Sequence, residues 1–232
     1  MENGVFYRGP SLIDGAPIVG VAIYSDRNGK TGRVLQTYII RADMNPLEAS
    51  KTGADVSICG TCPLRGTPTE DPARKQAAGR RCYVNLGQGP LSVFRALERG
   101  RYADAQDPAS RAALGRGRVV RLGTYGDGRA IPDHVWDELL SDCSAWTAYT
   151  HGEGWRPDLA MQSVEDIDAA RAHWRAGRRT FRIVTGVADI DKANEILCPA
   201  AKEAGRRTTC ASCKLCSGTA TKSPKSIAIP AH

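Results

Sequence analysis

Three cysteines, Cys210, Cys213 and Cys216, each two residues from the next, stand in the stretch TTCASCKLCSG. This spacing constrains the backbone more than any other feature of the chain. Turns that short aim three sulfurs inward at one body while nearby amides point at it, the arrangement used by iron–sulfur clusters. A fourth ligand is then wanted. Cys198 in ILCPAAKE lies twelve positions before Cys210 and is followed by Pro199, as the remote ligand of bacterial ferredoxins is followed by proline. Zinc is the rival, since four-cysteine zinc sites also use C-x2-C pairs, but a zinc ribbon has two separated pairs. A close triplet favours iron and sulfur, and the set Cys198, Cys210, Cys213 and Cys216 predicts a four-iron cluster rather than a three-iron one.

A second group is less complete. Cys59 and Cys62 in ICGTCPLRG, with Cys82 after nineteen intervening residues, give three ligands and no obvious fourth cysteine. Four arrangements suit it: a cluster with one iron open to water or substrate, zinc with water or another protein ligand, a site shared with the C-terminal cysteines, or a loop merely fastened by zinc. Cys143, alone in LLSDCSAW at a helix end, reads as a packed thiol. A chain of 232 residues buries a core without disulfide staples. No signal sequence and no membrane-length apolar run is visible, so the chain reads as soluble and cytosolic, without a membrane partner. In that reducing setting its eight cysteines are metal ligands before they are disulfides.

The formal charge of +7 suggests an anionic partner, a phosphorylated small molecule or nucleic acid. Arginine is spread along the whole chain, however, and a solvated basic surface explains the charge equally well. Aromatic content of 6% gives little support to a single-strand stacking platform.

Along the chain, PIVGVAIYS (17–25) and RVLQTYIIR (33–41) flank DRNGKTG, where Asn28-Gly29 and Gly32 supply the positive-φ positions of a hairpin loop. GPLSVFRALERG, with Pro90 in its first turn and Gly100 as a stop, predicts a helix; Asp107-Pro108 caps another. From 118 onward short apolar runs alternate with helical patterns: VVRLGTY (119–125), PDHVWDELLSD, AWTAYT (145–150), DLAMQS (158–163), VEDIDAARAHWRAG and RTFRIVT (179–185). In the longest helix Ser163 and Asp166 make a capping-box-like start, Ile167, Ala170 and Trp174 share a face, and Gly177 ends it. This alternation predicts an α/β fold with a parallel sheet, a compact or incomplete TIM-like barrel first and an open doubly wound sheet second. One domain, 1–232, is expected: a hairpin region (1–50), the first cysteine loop with helices (51–117), an alternating core (118–197), and the C-terminal cysteine cluster with an irregular tail (198–232).

In parallel α/β folds chemistry collects at the C-terminal strand ends. Here those ends place Tyr125, Asp127, His151, Glu153 and Ser163. Asp127 in Gly-Asp-Gly also suits a plain turn, and His151 an ordinary loop histidine. Arg121 and Arg182 lie inside strands, where an inward charge needs an anion or carboxylate.

The quoted pieces NGKTGRVLQTYIIRADMNPLEASKTGADVSICGTCPLRG, RRCYVNLGQGPLSVFRALERGRY, VVRLGTYGDGRAIPDHVW, WTAYTH, RTFRIV and ILCPA…TTCASCKLCSG resemble, over nearly the full length, a family of uncharacterised proteins encoded by bacteriophages and prophages. The resemblance implies an iron–sulfur protein on a TIM-barrel-like fold, from a viral genome and acting in the bacterial host's cytoplasm. The chain departs from it after His151, where Gly152 and Glu153 replace a glutamine and an aromatic residue. A weaker similarity is to radical S-adenosylmethionine enzymes, which place a three-cysteine cluster after the first barrel strand; their C-x3-C-x2-C triplet and methionine-binding segment are absent here.

Three functions follow as expectations. The first is a hydrolase of phosphatase type, with cluster iron as Lewis acid on an anionic phosphorylated substrate, His151 or Asp127 as acid or base, and Arg121 steering the anion. The second is a metal-stabilised nucleic-acid-binding protein. The third is a redox or radical enzyme. No G-x-S-x-G, P-loop or H-E-x-x-H motif supports the first.

Overall fold

The computed structural model describes every residue except Met1, Arg27, Lys222 and His232. Its first strand is one that the sequence pattern hides. β1 (Asn3–Pro10) pairs antiparallel with β2 (Pro17–Ser25), although Gly4, Arg8 and Gly9 break its alternation. The expected hairpin follows, β2 facing β3 (Val34–Arg41) from Ile18 against Arg41 to Ser25 against Val34. In its loop the Asn28 side chain accepts from the amides of Lys30 and Thr31, and a positive φ of 69° falls on Gly32. Arg27 of that loop lies outside the described residues.

β4 (Ala103–Asp104) flanks β1, while β5 (Val119–Tyr125) and β6 (Ala145–Thr147) extend β3 with parallel pairing, giving the order β4-β1-β2-β3-β5-β6. A second sheet holds β7 (Tyr149–Thr150), β8 (Met161–Val164), β9 (Thr180–Val184), β10 (Glu195–Leu197) and β11 (Ser226–Pro230), ordered β10-β11-β9-β8-β7 and parallel throughout. β6 and β7 are halves of the expected strand 145–150. Ala148 parts them because its N–H turns to the Cys216 carbonyl at 2.7 Å while its own carbonyl accepts from Met161 at 3.1 Å. The chain thus passes from one sheet to the other within one extended segment, and the fold is mixed α/β.

Among the described residues seven α-helices connect the strands: α1 (Pro46–Thr52), α2 (Val56–Cys59), α3 (Gly89–Glu98), α4 (Pro108–Gly115), α5 (Asp133–Leu140), α6 (Ile167–Arg175) and α7 (Cys210–Cys213). The Asp107 cap forms, its carboxylate accepting from Ser110 at 2.9 Å. At α6 the cap is Asp166 alone, accepting from Ala169 at 2.7 Å; Ser163 lies in β8 and takes no part. A larger correction concerns the tail. Residues 226–230 are not an irregular end but β11, buried at every position between β10 and β9, because a strand covered on both faces needs no alternation and five small or branched residues suffice.

Among the described residues the apolar side chains form two main cores and a small third cluster of Val184, Ile190 and Ala228. The larger packs the first sheet against α3, α4 and α5 and contains Phe6, Ile18, Leu35 and Trp136, the Phe6 and Trp136 rings 5.3 Å apart. The smaller, inside the second sheet, joins Met161, Ile227 and Ile229 to Cys198 and Cys216, so sulfur ligand candidates sit within a hydrophobic cluster. Among the described residues no helix is long and apolar enough to cross a membrane.

Candidate metal centres

The C-terminal cysteines converge. Cys198 follows β10, its N–H held by Ala228 of β11 at 2.9 Å. Cys210 and Cys213 open and close the single turn of α7, capped by Thr209; Lys214 in the left-handed region, φ 58°, then redirects the chain to Cys216. The hairpin loop anchors this turn, since the amides of Cys210 and Ala211 donate to the carbonyls of Lys30 and Thr31 at 3.1 and 2.9 Å. Gly32 makes the fit possible: a Cβ there would stand 2.7 Å from the Thr209 hydroxyl. All four cysteines border one cavity of about 270 Å³, walled also by apolar residues of the second sheet, by Tyr83, Tyr149 and Arg121, and by polar residues that include Lys30, Thr31 and Lys214.

The electrostatics of this cavity fit a cationic metal core. Burial raises the thiol pKa values of Cys198 and Cys210. Cys216 is pushed up to about 12 by burial and by the three other thiols, against the hydrogen bond from the Tyr149 hydroxyl. Thiols that impede one another's ionisation are deprotonated together only when a metal supplies the opposing charge. Arg121 reaches the same space from β5. One of its nitrogens donates to the Tyr83 hydroxyl at 3.0 Å, while its buried Nε has no hydrogen-bond partner. Burial works against its charge, yet Tyr83, Tyr149 and Cys210 together hold the guanidinium protonated.

The earlier cysteines form a second compartment. Cys59 ends α2 and Cys62 follows one turn later; Gly60 between them has φ 56°, and a Cβ there would stand 1.7 Å from an Arg129 nitrogen. The nineteen residues before Cys82 are an excursion closed by reciprocal bonds of Thr67 and Ala78 at 2.9 and 2.8 Å, which returns the Cys82 amide to the Leu64 carbonyl at 3.0 Å. Arg65 ties the near side, pairing with Asp55 and donating to the carbonyls of Gly53 and Gly60. Cys59, Cys62 and Cys82 border a cavity of about 100 Å³ that also contains His151, Glu165 and Tyr125. Burial, then Asp55 and the two other thiols, drives the Cys59 pKa well up. The two cavities are neighbours. Tyr83, Tyr149, Phe181 and Ile183 line both, with the Tyr149 and Phe181 rings 4.3 Å apart.

The acid–base candidates are divided. His151 and Asp127 border the three-cysteine cavity, Arg121 the four-cysteine one. Asp127 is buried and its oxygens accept from the Thr150 hydroxyl at 2.8 and 3.0 Å, from the His151 amide at 2.9 Å and from the Arg129 amide at 3.1 Å. It therefore anchors the backbone that presents His151. The His151 Nε2 stands 2.8 Å from Glu165 and 4.0 Å from the Cys62 sulfur; burial opposes its charge, but these partners raise its pKa to about 10. Glu153 points elsewhere, to Arg178 at 2.6 Å. Arg182 finds the carboxylate it needs in Glu195, by two bonds of 2.8 and 2.6 Å inside the second sheet, and Cys143 packs against the larger core. Sequence reading missed Tyr83, Tyr149 and Glu165, which carry no motif; Tyr83 adjoins Cys82 in the chain, while the fold brings Tyr149 and Glu165 to the cysteines.

Among the described residues no group of three or more His, Cys, Asp or Glu side chains has the spacing to hold a metal ion as it stands; the thiols ring cavities instead. The chain matches no family model, no curated protein and no solved structure.

Proposed function

We propose that the chain is an iron–sulfur protein of redox type, with a four-iron cluster on Cys198, Cys210, Cys213 and Cys216 at the edge of an incomplete TIM-like barrel. The carrying observation is Arg121, a half-buried cation whose buried Nε lacks a hydrogen-bond partner on the wall of a cavity bordered by four thiols. A buried charge without a counter-charge is costly. A cluster held by four thiolates is anionic and fills that role, and it supplies one-electron chemistry when bound. Burial holds the Cys198 and Cys216 thiols up, and the Tyr149 hydroxyl beside Cys216 and the Lys30 ammonium beside Cys198 offset only part of that rise, so ionisation of these ligands would come with the metal.

A redox role is better supported than hydrolysis. Hydrolysis of a phosphate ester needs Arg121 and either His151 or Asp127 about one substrate, yet Arg121 borders a different cavity from both and Asp127 is spent on the backbone. Two thiol-ringed cavities separated by one layer of side chains instead suit short-range electron exchange. The test is anaerobic purification with iron and acid-labile sulfide assay, then dithionite reduction followed by visible absorption and electron paramagnetic resonance. Iron, sulfide and reversible bleaching that Cys213→Ser abolishes support the proposal. Oxygen-protected protein without iron or sulfide refutes it.

A further inference from the structure

We infer that Cys59, Cys62, Cys82 and His151 form a second metal site, with His151 as its fourth protein ligand. The inference concerns a different compartment from the cluster proposed above but shares with that reading the premise that these thiols are metal ligands. The four groups come from three distant parts of the chain, the end of α2, the return of the long excursion and the end of β7, and meet at one cavity of about 100 Å³. Spacing groups the three cysteines, and the fold adds His151 to them.

Three observations point to a ligand there. The Nε2 of His151 is 4.0 Å from the Cys62 sulfur. Metal–sulfur and metal–imidazole bonds of about 2.3 and about 2.0 Å let one metal atom bridge that gap. Second, the Tyr125 and Thr124 hydroxyls are buried without hydrogen-bond partners beside the same cavity, Tyr125 being only 3% exposed. A thiolate or sulfide at the centre would accept from them. Third, His151 is delivered by a fixed backbone, since Asp127 accepts its amide at 2.9 Å and also binds Thr150 beside it. Glu165, which holds Nε2 at 2.8 Å, has a side chain 36% exposed and is free to turn to solvent when the ring takes a metal. Three thiolates and one imidazole select iron or zinc over magnesium or calcium.

The experiment removes the first site to read the second. Full-length Cys210→Ser/Cys213→Ser protein is purified anaerobically, offered ferrous iron with sulfide or zinc alone in separate arms, and assayed for metal content; circular dichroism monitors folding. Metal bound in this background, weakened about tenfold or more by His151→Ala and restored by His151→Cys, supports the site. Whichever arm loads identifies the metal. In the iron arm, histidine labelled with nitrogen-15 must alter the electron spin-echo modulation of the reduced protein. Equal binding by folded His151→Ala and its parent overturns the assignment of His151, as does an unaltered modulation. If the double variant holds no metal while the unmodified protein does, the second site fails and the first cluster stands; if the unmodified protein holds none, both fail.

Discussion

Replacing Arg121 by methionine separates what this side chain does for the fold from what it does for a bound cluster, because the two effects have opposite signs. In metal-free protein the substitution removes a half-buried charge and a buried Nε without a hydrogen-bond partner. It also removes one bond to Tyr83, but that ring is 65% exposed and water replaces the loss. An unsatisfied buried polar group costs about 1–3 kcal/mol, so Arg121→Met should leave the metal-free fold unchanged or raise its stability by about 1 kcal/mol. For a chain this long that is roughly 2–4 °C in melting temperature. In loaded protein the guanidinium favours the more negative, reduced cluster. A charge-assisted contact of about 1.5 kcal/mol corresponds to about 65 mV for one electron. The variant should therefore show a midpoint potential lower by about that amount in a redox titration, with Arg121→Lys between. A potential that is unmoved or rises refutes the assignment of Arg121 as counter-charge, and a metal-free melting temperature lower by several degrees shows that the residue is structural.

Arg182 and Glu195 are 5% and 2% exposed and bonded twice, so Arg182→Met should cost about 3–5 kcal/mol in urea unfolding, and Arg182→Met/Glu195→Met should recover most of it. Gly32→Ala, at φ 69° and against Thr209, should cost about 1–2 kcal/mol and lower iron content at the four-cysteine site, an outcome read by metal assay beside far-ultraviolet dichroism. Against the opposing effect of burial, Cys62 and Glu165 raise the His151 pKa to about 10 from an ordinary 6.5, so the stability it adds to metal-free protein is complete below pH 6.5 and is lost as pH rises through 10. Thermal melts of His151→Gln across that window should show a flatter decline than those of the parent.

The hairpin, α3, α4, β5 and β9 were legible because each carries local chemistry: Asn28 and Gly32 in a loop, Pro90 at a first turn, an Asp107 cap, branched residues in a run. β1 and β11 were not, since glycine interrupts the first and burial on both faces removes the alternation of the second. The grouping of the cysteines was legible from their spacing, since Cys198, Cys210, Cys213 and Cys216 border one cavity and Cys59, Cys62 and Cys82 another. Their environment was not, because Arg121, Tyr149 and His151 reach them through pairings such as β5 with β6 and β7 with β8, which join residues far apart in the chain.

The placement of β11 bears on biosynthesis. Ile227 and Ile229 wall the four-cysteine cavity and Ala228 holds Cys198, yet this strand follows every cysteine in the chain. On the ribosome all eight thiols are translated before the segment that shelters four of them, so the compartment closes last. Under the proposed cluster, metal delivery would have to precede or accompany the docking of this late five-residue strand.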